Sequence, residues 1–548
     1  MKRAEQIKLN LDEIDALIQR VETGHLQDGD YEIIKSMADT IVCLNQALEN
    51  KKVSIKKLLK ILFGSKTEKK DNVLKNNGPS SDDPDSHDTP SEKQSEPDKE
   101  PSNKTDNLKV TRKKSKGHGR MGADKYTGAD SKFIPHSELK HGDPCPLCPK
   151  GKIYNLKIPG VVVRISAQAP LQATRFDLEK LRCNLCGKVF TAIAPDNITG
   201  KYYDETAKAM IAILKYGCGF PWYRMEKLQE SLGVPLPAST QWDKTESAAN
   251  LIYPAFNELK RQAAQGNILH NDDTPMKILE LMEENKTRGK KDRTGIFTTG
   301  IISLLDEGRK IALFFTGRNH AGENIGSVYQ MRDQEKGPPI QMCDALSRNS
   351  SSQFETIMAN CLTHGRRGFV DVADNFPDEC RYVIETLADV YKIDDKTKKQ
   401  SMPSEERLKF HQLHSTPLME KLDTWFNKQI DDKLVEPNSG LGQAITYMLK
   451  HWPELTRFLH VPGAPLDNNI CEQALKRAIL HRKNAMFYKT QHGADIGDIF
   501  MSLIHTCNLM KINPFKYLVA LQKHSSLLFK NPSRWMPWNY EAALTIEV

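Results

Sequence analysis

The sequence predicts a multidomain α+β protein in which helical segments flank one region of alternating strands and helices. At 548 residues the chain is too long for a single compact core, and roughly three or four domains are expected. Helical periodicity dominates both ends of the chain, whereas the middle contains apolar, strand-like runs that end in acidic residues. Two Cys-x-x-Cys pairs between these regions predict an additional small metal-binding domain.

The composition is that of a soluble protein from a reducing compartment. The 78 basic and 70 acidic residues leave a net charge of +8, an excess too small over this length to identify a partner. The 11 cysteines are odd in number, which favours metal binding over a disulfide framework. The N-terminus lacks the apolar core of a signal peptide, and no run approaches the roughly 18 apolar residues of a membrane span. We therefore expect a cytoplasmic protein without a membrane segment.

Residues 1–63 are predicted to form coiled-coil helices. Apolar residues between Leu11 and Leu62 recur at alternating steps of three and four, apart from Lys51 at one expected apolar position. Glycines near residues 24 and 29 divide this pattern in two. A zipper between two protomers and a helical hairpin within one chain both fit it, and the length of the second run, about four heptads, favours the zipper.

A disordered linker and a basic arm follow the coiled coil. The linker, residues 64–107, contains no aromatic residue, Val, Ile or Leu from Lys75 onward, so it cannot bury enough apolar surface to fold. The arm, residues 108–126, begins with LKVTRKKSKGHGR, which has no acidic residue. Its candidate contacts to DNA phosphates are Arg112, Lys113, Lys114, Lys116 and Arg120. A merely soluble linker end is the alternative.

Residues 127–200 contain the most specific local pattern in the chain. Cys145 and Cys148 form one Cys-x-x-Cys pair, and Cys183 and Cys186 form another after a segment that resembles a strand pair. Two such knuckles can present four thiolates to one Zn²⁺ ion, and this closed shell leaves no position for a reacting water. We therefore predict a structural zinc ribbon, with redox-active or incidental cysteines as the alternative.

Residues 201–265 are predicted to be helical and to resemble a DNA-binding helix-turn-helix. Helical periodicity covers AKAMIAILKYG, YRMEKLQESLG and a longer run that begins at Ser239. A short helix, a turn and a helix that starts with Ser-Thr-Gln could place its N-terminal end in a major groove. A plain three-helix packing module explains the pattern as well.

The pattern changes from helix to strand in residues 266–495. The first strand ends in Asp272 and Asp273, two further strands form a hairpin, a helix follows, and a fourth strand ends at Asp344. This is the order of a ribonuclease-H-like sheet, whose first and fourth strands are neighbours and would bring their acidic residues together. A helical insertion from about 375 to 465 and a helical tail over 496–548 complete the chain.

A helix that carries one carboxylate and several cations follows the insertion. Asp467, Asn468 and Asn469 are N-cap residue types, so the helix should begin there with Glu472 in its first turn. Four of its cations are candidate contacts to DNA phosphates: Lys476, Arg477, Arg482 and Lys483. The alternative is a solvated helix that is stabilised by an ion pair between Glu472 and Lys476.

Asp272, Asp344 and Glu472 are the candidate catalytic residues. Carboxylates are the hard oxygen ligands that Mg²⁺ and Mn²⁺ prefer. Cutting and joining DNA strands requires a deprotonated water or 3′ hydroxyl and a stabilised leaving oxygen, which two divalent metal ions about 4 Å apart supply together. The three carboxylates would therefore bind two Mg²⁺ or Mn²⁺ ions per active site.

Short motifs in a fixed order connect the chain to a known family. They are Leu62 to Lys69 (LFGSKTEK), His118-Gly-Arg120, the two Cys-x-x-Cys pairs, Lys215-Tyr216, Pro221-Trp-Tyr-Arg224, His270-x-Asp-Asp-Thr-Pro275, Cys361-Leu-x-His364-x-Arg-Arg367, Asp467-Asn-Asn-x-x-Glu472, His481-Arg-Lys-Asn484, Ser502-Leu-Ile504, Asn513-Pro514, Tyr517-Leu518 and Pro537-Trp-Asn-Tyr540. By these motifs the chain resembles, over almost its full length, the transposases of the insertion-sequence-66 family within the Asp-Asp-Glu superfamily.

This resemblance implies a transposase that binds the ends of an insertion sequence and cuts and joins DNA strands through the three carboxylates. It implies bound Mg²⁺ or Mn²⁺, a bacterial, nucleoid-associated location, and DNA, other copies of the chain and two small accessory proteins as partners. His364, Arg366 and Arg367 match a family motif and are candidate phosphate contacts, with an exposed helix start as the alternative. A catalytically inert DNA-binding protein and a nuclease that cuts without joining are the competing functions.

Overall fold

The computed structural model describes the central and C-terminal parts of the chain and short pieces of the N-terminal part. The described residues are 20–21, 27, 30–31, 134–135, 138–154, 169–182, 189–193, 202–289, 292–351 and 353–545. The predicted linker (64–107) and basic arm (108–126) lie outside them, as does almost all of the predicted coiled coil. Cys183 and Cys186 also lie outside the described residues.

The protein is a mixed α+β structure that is mostly helical in its described residues. Its strands are β1 (Pro144–Cys145), β2 (Cys148–Lys152), β3 (Lys180–Arg182), β4 (Val189–Thr191), β5 (Ile268–Pro275), β6 (Phe297–Leu304), β7 (Lys310–Gly317), β8 (Ile340–Cys343) and β9 (Ile357–Asn360). Its α-helices are α1 (Glu205–Ala212), α2 (Trp222–Ser231), α3 (Ala238–Ala263), α4 (Leu279–Glu284), α5 (Ala321–Tyr329), α6 (Leu362–Val372), α7 (Pro377–Lys399), α8 (Ser404–His414), α9 (Thr416–Asp431), α10 (Gly440–Lys450), α11 (Trp452–Leu455), α12 (Asn469–Ala485), α13 (Gln491–Leu509), α14 (Pro514–Lys523), α15 (Ser525–Lys530) and α16 (Tyr540–Thr545). A π-helical turn, Ile213–Gly217, directly follows α1. Among the described residues, no helix combines the length and the apolar composition needed to cross a membrane.

The chain divides into two compact units, of which the smaller comprises residues 81–200 and 223–238. In this unit β1 pairs antiparallel with β2, and β3 pairs antiparallel with β4. Cys145 lies opposite Cys148 in the first pair. The buried side chain of Gln229 donates to the carbonyl of Leu171 at 3.2 Å, which attaches helix α2 to the segment that leads into β3.

The larger unit contains a five-stranded mixed sheet with the order β7-β6-β5-β8-β9. Strands β5, β6 and β7 pair antiparallel, whereas β5, β8 and β9 pair parallel. The predicted first strand, hairpin, helix and fourth strand all occur in the predicted order, and the first and fourth strands, β5 and β8, are neighbours. The sequence did not predict β9, because four residues are too few to show a period and this strand forms only where β8 offers a partner.

Two hydrophobic cores stabilise the larger unit. One surrounds β5, β6 and β7 and includes the C-terminal helices, with Phe314, Phe500 and Tyr517 fully buried. The other joins β8 and β9 to the helices from α6 to α11, with Met342 and Phe369 fully buried. The stretch predicted to be helical between about 375 and 465 is helical, and it belongs to this second core.

Helix α13 closes the outer edge of the sheet along β7. Three backbone N–H groups of β7 donate to three side chains of α13: Ala312 to Thr506 at 3.0 Å, Phe314 to Ser502 at 2.9 Å and Thr316 to Asp498 at 2.6 Å. The spacings match because four helical residues advance about 6 Å and two strand residues advance about 6.6 Å. An edge that would otherwise offer its donors to another chain is therefore satisfied within the unit.

Replacing Ser502 with alanine should destabilise the protein, because the buried N–H of Phe314 would lose its acceptor. Such an unsatisfied donor lowers the free energy of unfolding by about 1–3 kcal/mol. Urea denaturation followed by circular dichroism measures the loss. Ser526→Ala, at an exposed position of α15, is the matched control and should stay within about 0.5 kcal/mol of wild type. Equal stability of the two variants would contradict this function of α13.

Candidate active site

Asp272 and Asp344 lie at the same end of two neighbouring parallel strands. β5 and β8 pair in register up to His270 opposite Met342, so the two aspartates, each two residues further on, are level with each other. Neighbouring strands are about 4.8 Å apart. The negative charge of Asp344 accordingly acts on Asp272. The two carboxylates that the sequence places at strand ends are therefore neighbours.

Helix α12 brings Glu472 to this pair. The helix begins where the sequence predicts, and Glu472 lies in its first turn. The thiol of Cys471 donates to the carbonyl of Gly300 at 3.2 Å, and Gly300 is paired with Asp272 across β5 and β6. A Cβ atom at Gly300 would lie 3.0 Å from the side chain of Leu475, so glycine permits the close approach of helix and strand. The start of α12 thus lies at the level of Asp272.

Four buried polar side chains and the backbone carbonyl of Asn349, which we call the amide network, fix these elements relative to one another. Asn468 donates to the Asn271 carbonyl at 3.0 Å, and its Oδ1 lies 3.1 Å from Nδ1 of His270. Asn271 and Gln341 both donate to the Asn349 carbonyl, at 2.7 and 2.8 Å. Gln341 also donates to Oδ1 of Asn271 at 3.0 Å. Asn468 occupies the N-cap position of α12, but its side chain bonds β5 and makes no cap bond.

The loop after β8 holds Asp344. Its Oδ1 accepts hydrogen bonds from the N–H of Leu346 at 3.3 Å and from Nδ2 of Asn349. Since the Asn349 carbonyl is itself an acceptor in the amide network, the position of Asp344 is coupled to that of Asp272 through the same buried bonds.

Negative charge is concentrated around Asp272. Burial, together with the negative charges of Asp344, Asp273 and Glu472, raises the pKa of Asp272 to about 7, although the N–H of Asp273 donates to it at 2.8 Å. Oε1 of Glu472 is buried and has no hydrogen-bond partner among the described residues. A buried acceptor without a partner and a carboxylate with a raised pKa are features that a bound divalent cation would explain.

The negative charge of Asp273 has basic side chains beside it, in contrast to that of Asp272. Its side chain is only 1% exposed, and its Oδ2 lies 3.1 Å from Nδ1 of His320. The guanidinium of Arg348 lies 3.5 Å from its other oxygen. Successive strand residues point to opposite faces of a sheet, which is why neighbouring aspartates have such different surroundings.

The four cations predicted to contact DNA on α12 have two different environments. Lys476 and Lys483 are exposed and lie seven residues apart, hence on one side of the helix. Arg482 donates to the hydroxyl of Thr274 and to the carbonyl of Pro275 at the end of β5. Arg477 donates to the carbonyl of Gly217, the last residue of the π-helical turn, at 3.3 Å. The two lysines are therefore available at the surface, and the two arginines join α12 to its neighbours.

The predicted phosphate contacts on α6 lie close to Glu472. Nδ1 of His364 is 3.8 Å from Oε1 of Glu472, whereas Arg366 is buried and Arg367 is half-buried. The donor atoms of Cys361, His364 and Glu472 all lie within 4.8 Å of one another. We did not predict this cluster from the sequence, although the Cys-x-x-His spacing from Cys361 to His364 is a signal that could have identified it.

The predicted zinc site is described only in part. Cys145 is half-buried in the β1–β2 pair, and Cys148 follows it across the turn. The other two cysteines, at positions 183 and 186, fall between the ends of β3 and β4 and lie outside the described residues. The five basic residues of the arm over 108–126 also lie outside them.

The part of the chain that contains the three carboxylates matches a known family. Residues 200–496, more than half of the chain, match the sequence profile of the family described as "Transposase IS66 family". Three proteins of Sinorhizobium fredii, each described as an uncharacterized protein, are similar. They are y4jD (26% identical over 388 residues, 68% of this chain and 74% of its own length), y4hP (24% over 387 residues, 67% of each chain) and y4qI (23% over 372 residues, 64% of this chain and 66% of its own length).

Asp272→Asn should stabilise the metal-free protein at pH 8. The pKa of Asp272 is about 7 in the folded chain, against about 3.9 when unfolded. Between these values the folded state retains a proton that the unfolded state releases, so the free energy of unfolding falls as the pH rises from about 4 to about 7. Removing the charge should raise the free energy of unfolding by about 1–3 kcal/mol at pH 8 and should change it little at pH 4.

Urea denaturation in the presence of a chelator, at both pH values, measures this effect. Asp371→Asn, at an exposed position of α6, is the control and should show no gain that depends on pH. If Asp272→Asn and wild type have the same free energy of unfolding at pH 8, the charge of Asp272 does not destabilise the folded protein.

Proposed function

This chain belongs to the IS66 transposase family, and we propose that it cuts and joins DNA strands at the ends of an insertion sequence through Asp272, Asp344 and Glu472. Family membership establishes a transposase, an enzyme that acts on DNA. The observation that best supports the specific chemistry is that Asp272 and Asp344 lie level on neighbouring parallel strands, while Glu472 lies in the first turn of the helix that packs beside Asp272.

We interpret the five-stranded sheet as a ribonuclease-H-like core. In support, the first strand is central, two antiparallel strands lie on one side of it, and the fourth strand lies parallel to it on the other. The helices from α6 to α11 would then form an insertion between the fifth strand, β9, and the helix that carries Glu472.

The residues present fit a pair of divalent metal ions. Asp272, Asp344 and Glu472 offer the oxygen ligands that Mg²⁺ and Mn²⁺ prefer, and Glu472 supplies a buried acceptor that lacks a partner in the described part of the chain. When bound, such ions would activate a water or a 3′ hydroxyl and stabilise the leaving oxygen.

The chain itself would orient the DNA for this reaction. The amide network holds two of the carboxylates on paired strands, so they need little rearrangement to bind their ions. Lys476 and Lys483, one and three turns beyond Glu472, would bind backbone phosphates beside the carboxylates. Arg482 would support this surface indirectly, because its bonds to β5 hold α12 in position.

The N-terminal part would supply DNA binding and self-association. We propose that Cys145, Cys148, Cys183 and Cys186 hold one structural Zn²⁺, because the first two are paired positions of an antiparallel strand pair and four thiolates close a tetrahedral shell. The basic arm would add phosphate contacts that do not depend on sequence. A zipper over residues 1–63 would join two copies of the chain, so that one assembly could hold two DNA ends. Accessory proteins of the same element are further proposed partners.

Asp272→Asn, Asp344→Asn and Glu472→Gln should each reduce strand joining roughly a thousandfold or more, because each removes a metal-binding charge. Binding to element ends without metal should persist, since none of these residues contributes a positive charge. Labelled element ends and Mg²⁺, with products resolved by gel electrophoresis, measure joining, and mobility shifts measure binding. Asp371→Asn is the control that should join at the wild-type rate.

The same assay distinguishes the competing functions of the wild-type protein. Joined products would support the proposed transposase reaction. Cleavage without joined products would identify a nuclease, and a mobility shift with neither would identify an inert DNA-binding protein. Full joining by Asp272→Asn or Glu472→Gln would remove those residues from the mechanism.

Lys476→Ala and Lys483→Ala should each weaken DNA binding, and the loss should be greatest at low salt. Each lost phosphate contact lowers the slope of log affinity against log salt concentration by about 0.9. Titrations at several salt concentrations measure that slope. Lys392→Ala removes the same charge but from a lysine already 2.7 Å from Asp389, so the slope should not change. If all three variants behave alike, the exposed side of α12 does not contact DNA.

A further inference from the structure

We propose that Cys361, His364 and Glu472 form a second metal site, which binds a borderline-soft divalent ion such as Zn²⁺. This site would share Glu472 with the proposed magnesium site but would differ from it in ligand chemistry. One thiolate, one imidazole and one carboxylate form a donor set suited to zinc, whereas magnesium is bound by oxygen ligands alone.

The distances between the donor atoms support one shared ion. All three donor atoms lie within 4.8 Å of one another. His364 Nδ1 and Glu472 Oε1 are 3.8 Å apart, which is too far for a hydrogen bond. Two tetrahedral ligands, each about 2.1 Å from a zinc ion, are about 3.4 Å apart. A small side-chain adjustment would therefore bring both atoms into the coordination sphere.

The two polar donors are also unusual in lacking hydrogen bonds, although they lie within ion-pair distance of each other at 3.8 Å. Both His364 Nδ1 and Glu472 Oε1 are buried and have no hydrogen bond within the described part of the chain. Most buried polar atoms in proteins are hydrogen-bonded, so two such atoms facing each other require an explanation. A metal ion satisfies both of them at once.

The sulfur atom is buried and accepts a backbone hydrogen bond. Cys361 is fully buried, and the N–H of Asn468 donates to its Sγ at 3.3 Å. Hydrogen bonds from backbone N–H groups to sulfur are common around metal-bound thiolates. A cysteine binds a metal ion as a thiolate, so metal binding would release the proton of the Cys361 thiol.

The ligands are carried by rigid segments. Cys361 directly follows β9, and its N–H donates to the carbonyl of Cys343 at 2.9 Å. His364 lies in the first turn of α6, whose first N–H donates to the carbonyl of Leu466 at 3.0 Å, just before α12. These bonds hold the starts of α6 and α12 together and keep the three ligands close.

Sharing Glu472 gives the site a regulatory consequence. Zn²⁺ bound by Cys361 and His364 would hold Glu472 away from Asp272 and Asp344, and strand joining would then be inhibited. Excess Mg²⁺ would not reverse this inhibition readily, because it competes poorly for sulfur and nitrogen ligands. The inhibition rests on the proposed function of Glu472, whereas metal binding by the cluster does not.

Titration with Co²⁺ tests the site on the full-length protein. Cobalt replaces zinc and gives a sulfur-to-metal charge-transfer absorption when a thiolate binds it. Wild type should bind one more Co²⁺ ion with thiolate absorption than Cys361→Ser does. His364→Ala should bind that ion roughly tenfold more weakly or worse. Cys380→Ser, which alters another buried cysteine on α7, should match wild type, and the zinc-ribbon cysteines contribute equally in all four proteins.

The outcomes separate this site from the proposed transposase reaction. Identical Co²⁺ binding by wild type, Cys361→Ser and His364→Ala would overturn the site, even if joining with Mg²⁺ is normal. The extra Co²⁺ ion in a protein that never joins strands would support the site and count against the reaction. Where joining occurs, the Zn²⁺ concentration for half-inhibition should rise about tenfold or more in His364→Ala, relative to its own zinc-free rate. An unchanged value would overturn the inhibitory function.

Discussion

The buried hydrogen bonds of Asn468 hold the two halves of the candidate active site together. Its side chain joins the start of α12 to β5, although the partners are 197 residues apart in sequence. Burial lowers the pKa of His270 to about 4, so the ring is neutral and its Nδ1–H can donate to the amide oxygen of Asn468. Because an unpaired buried amide would cost several kcal/mol, the helix has little freedom to shift. The spacing of Asp272 and Glu472 is thus set by bonds that involve neither carboxylate.

Crowding three carboxylates opposes folding, and the rest of the larger unit offsets that cost. One core anchors β5 and β6 on the side of α12 and α13, and the other anchors β8 and β9 on the side of the helices from α6 to α11. The sheet therefore cannot relieve the repulsion by separating β5 from β8. Closure of the β7 edge by α13 adds to this rigidity. The raised pKa of Asp272 is a sign of this repulsion, which either protonation of Asp272 or cation binding would relieve.

The sequence predicts features that repeat along the chain, and it fails where a contact depends on distant residues. The strands β5 to β8 and the helix start before Glu472 follow from period and cap chemistry. The function of Asn468 does not, because its residue type fits a cap and only the fold brings β5 within reach. Arg482 and Lys483 are adjacent cations, and the sequence gives no reason to distinguish them. In the structure Arg482 is hydrogen-bonded to β5, whereas Lys483 is exposed. The cluster around Cys361 depends likewise on the meeting of α6 with α12.

The three carboxylates differ in how firmly the protein holds them, and this difference bears on control. Asp272 belongs to a strand paired on both sides, and Asp344 accepts two hydrogen bonds from its own loop. Glu472 has a buried oxygen without a hydrogen bond in the described chain, and it lies in the cluster with Cys361 and His364. The oxygen-only set with the aspartates suits magnesium, and the set with sulfur and nitrogen suits zinc. Since Glu472 can serve only one set at a time, the identity of the bound metal would decide whether Glu472 is available to the proposed magnesium site.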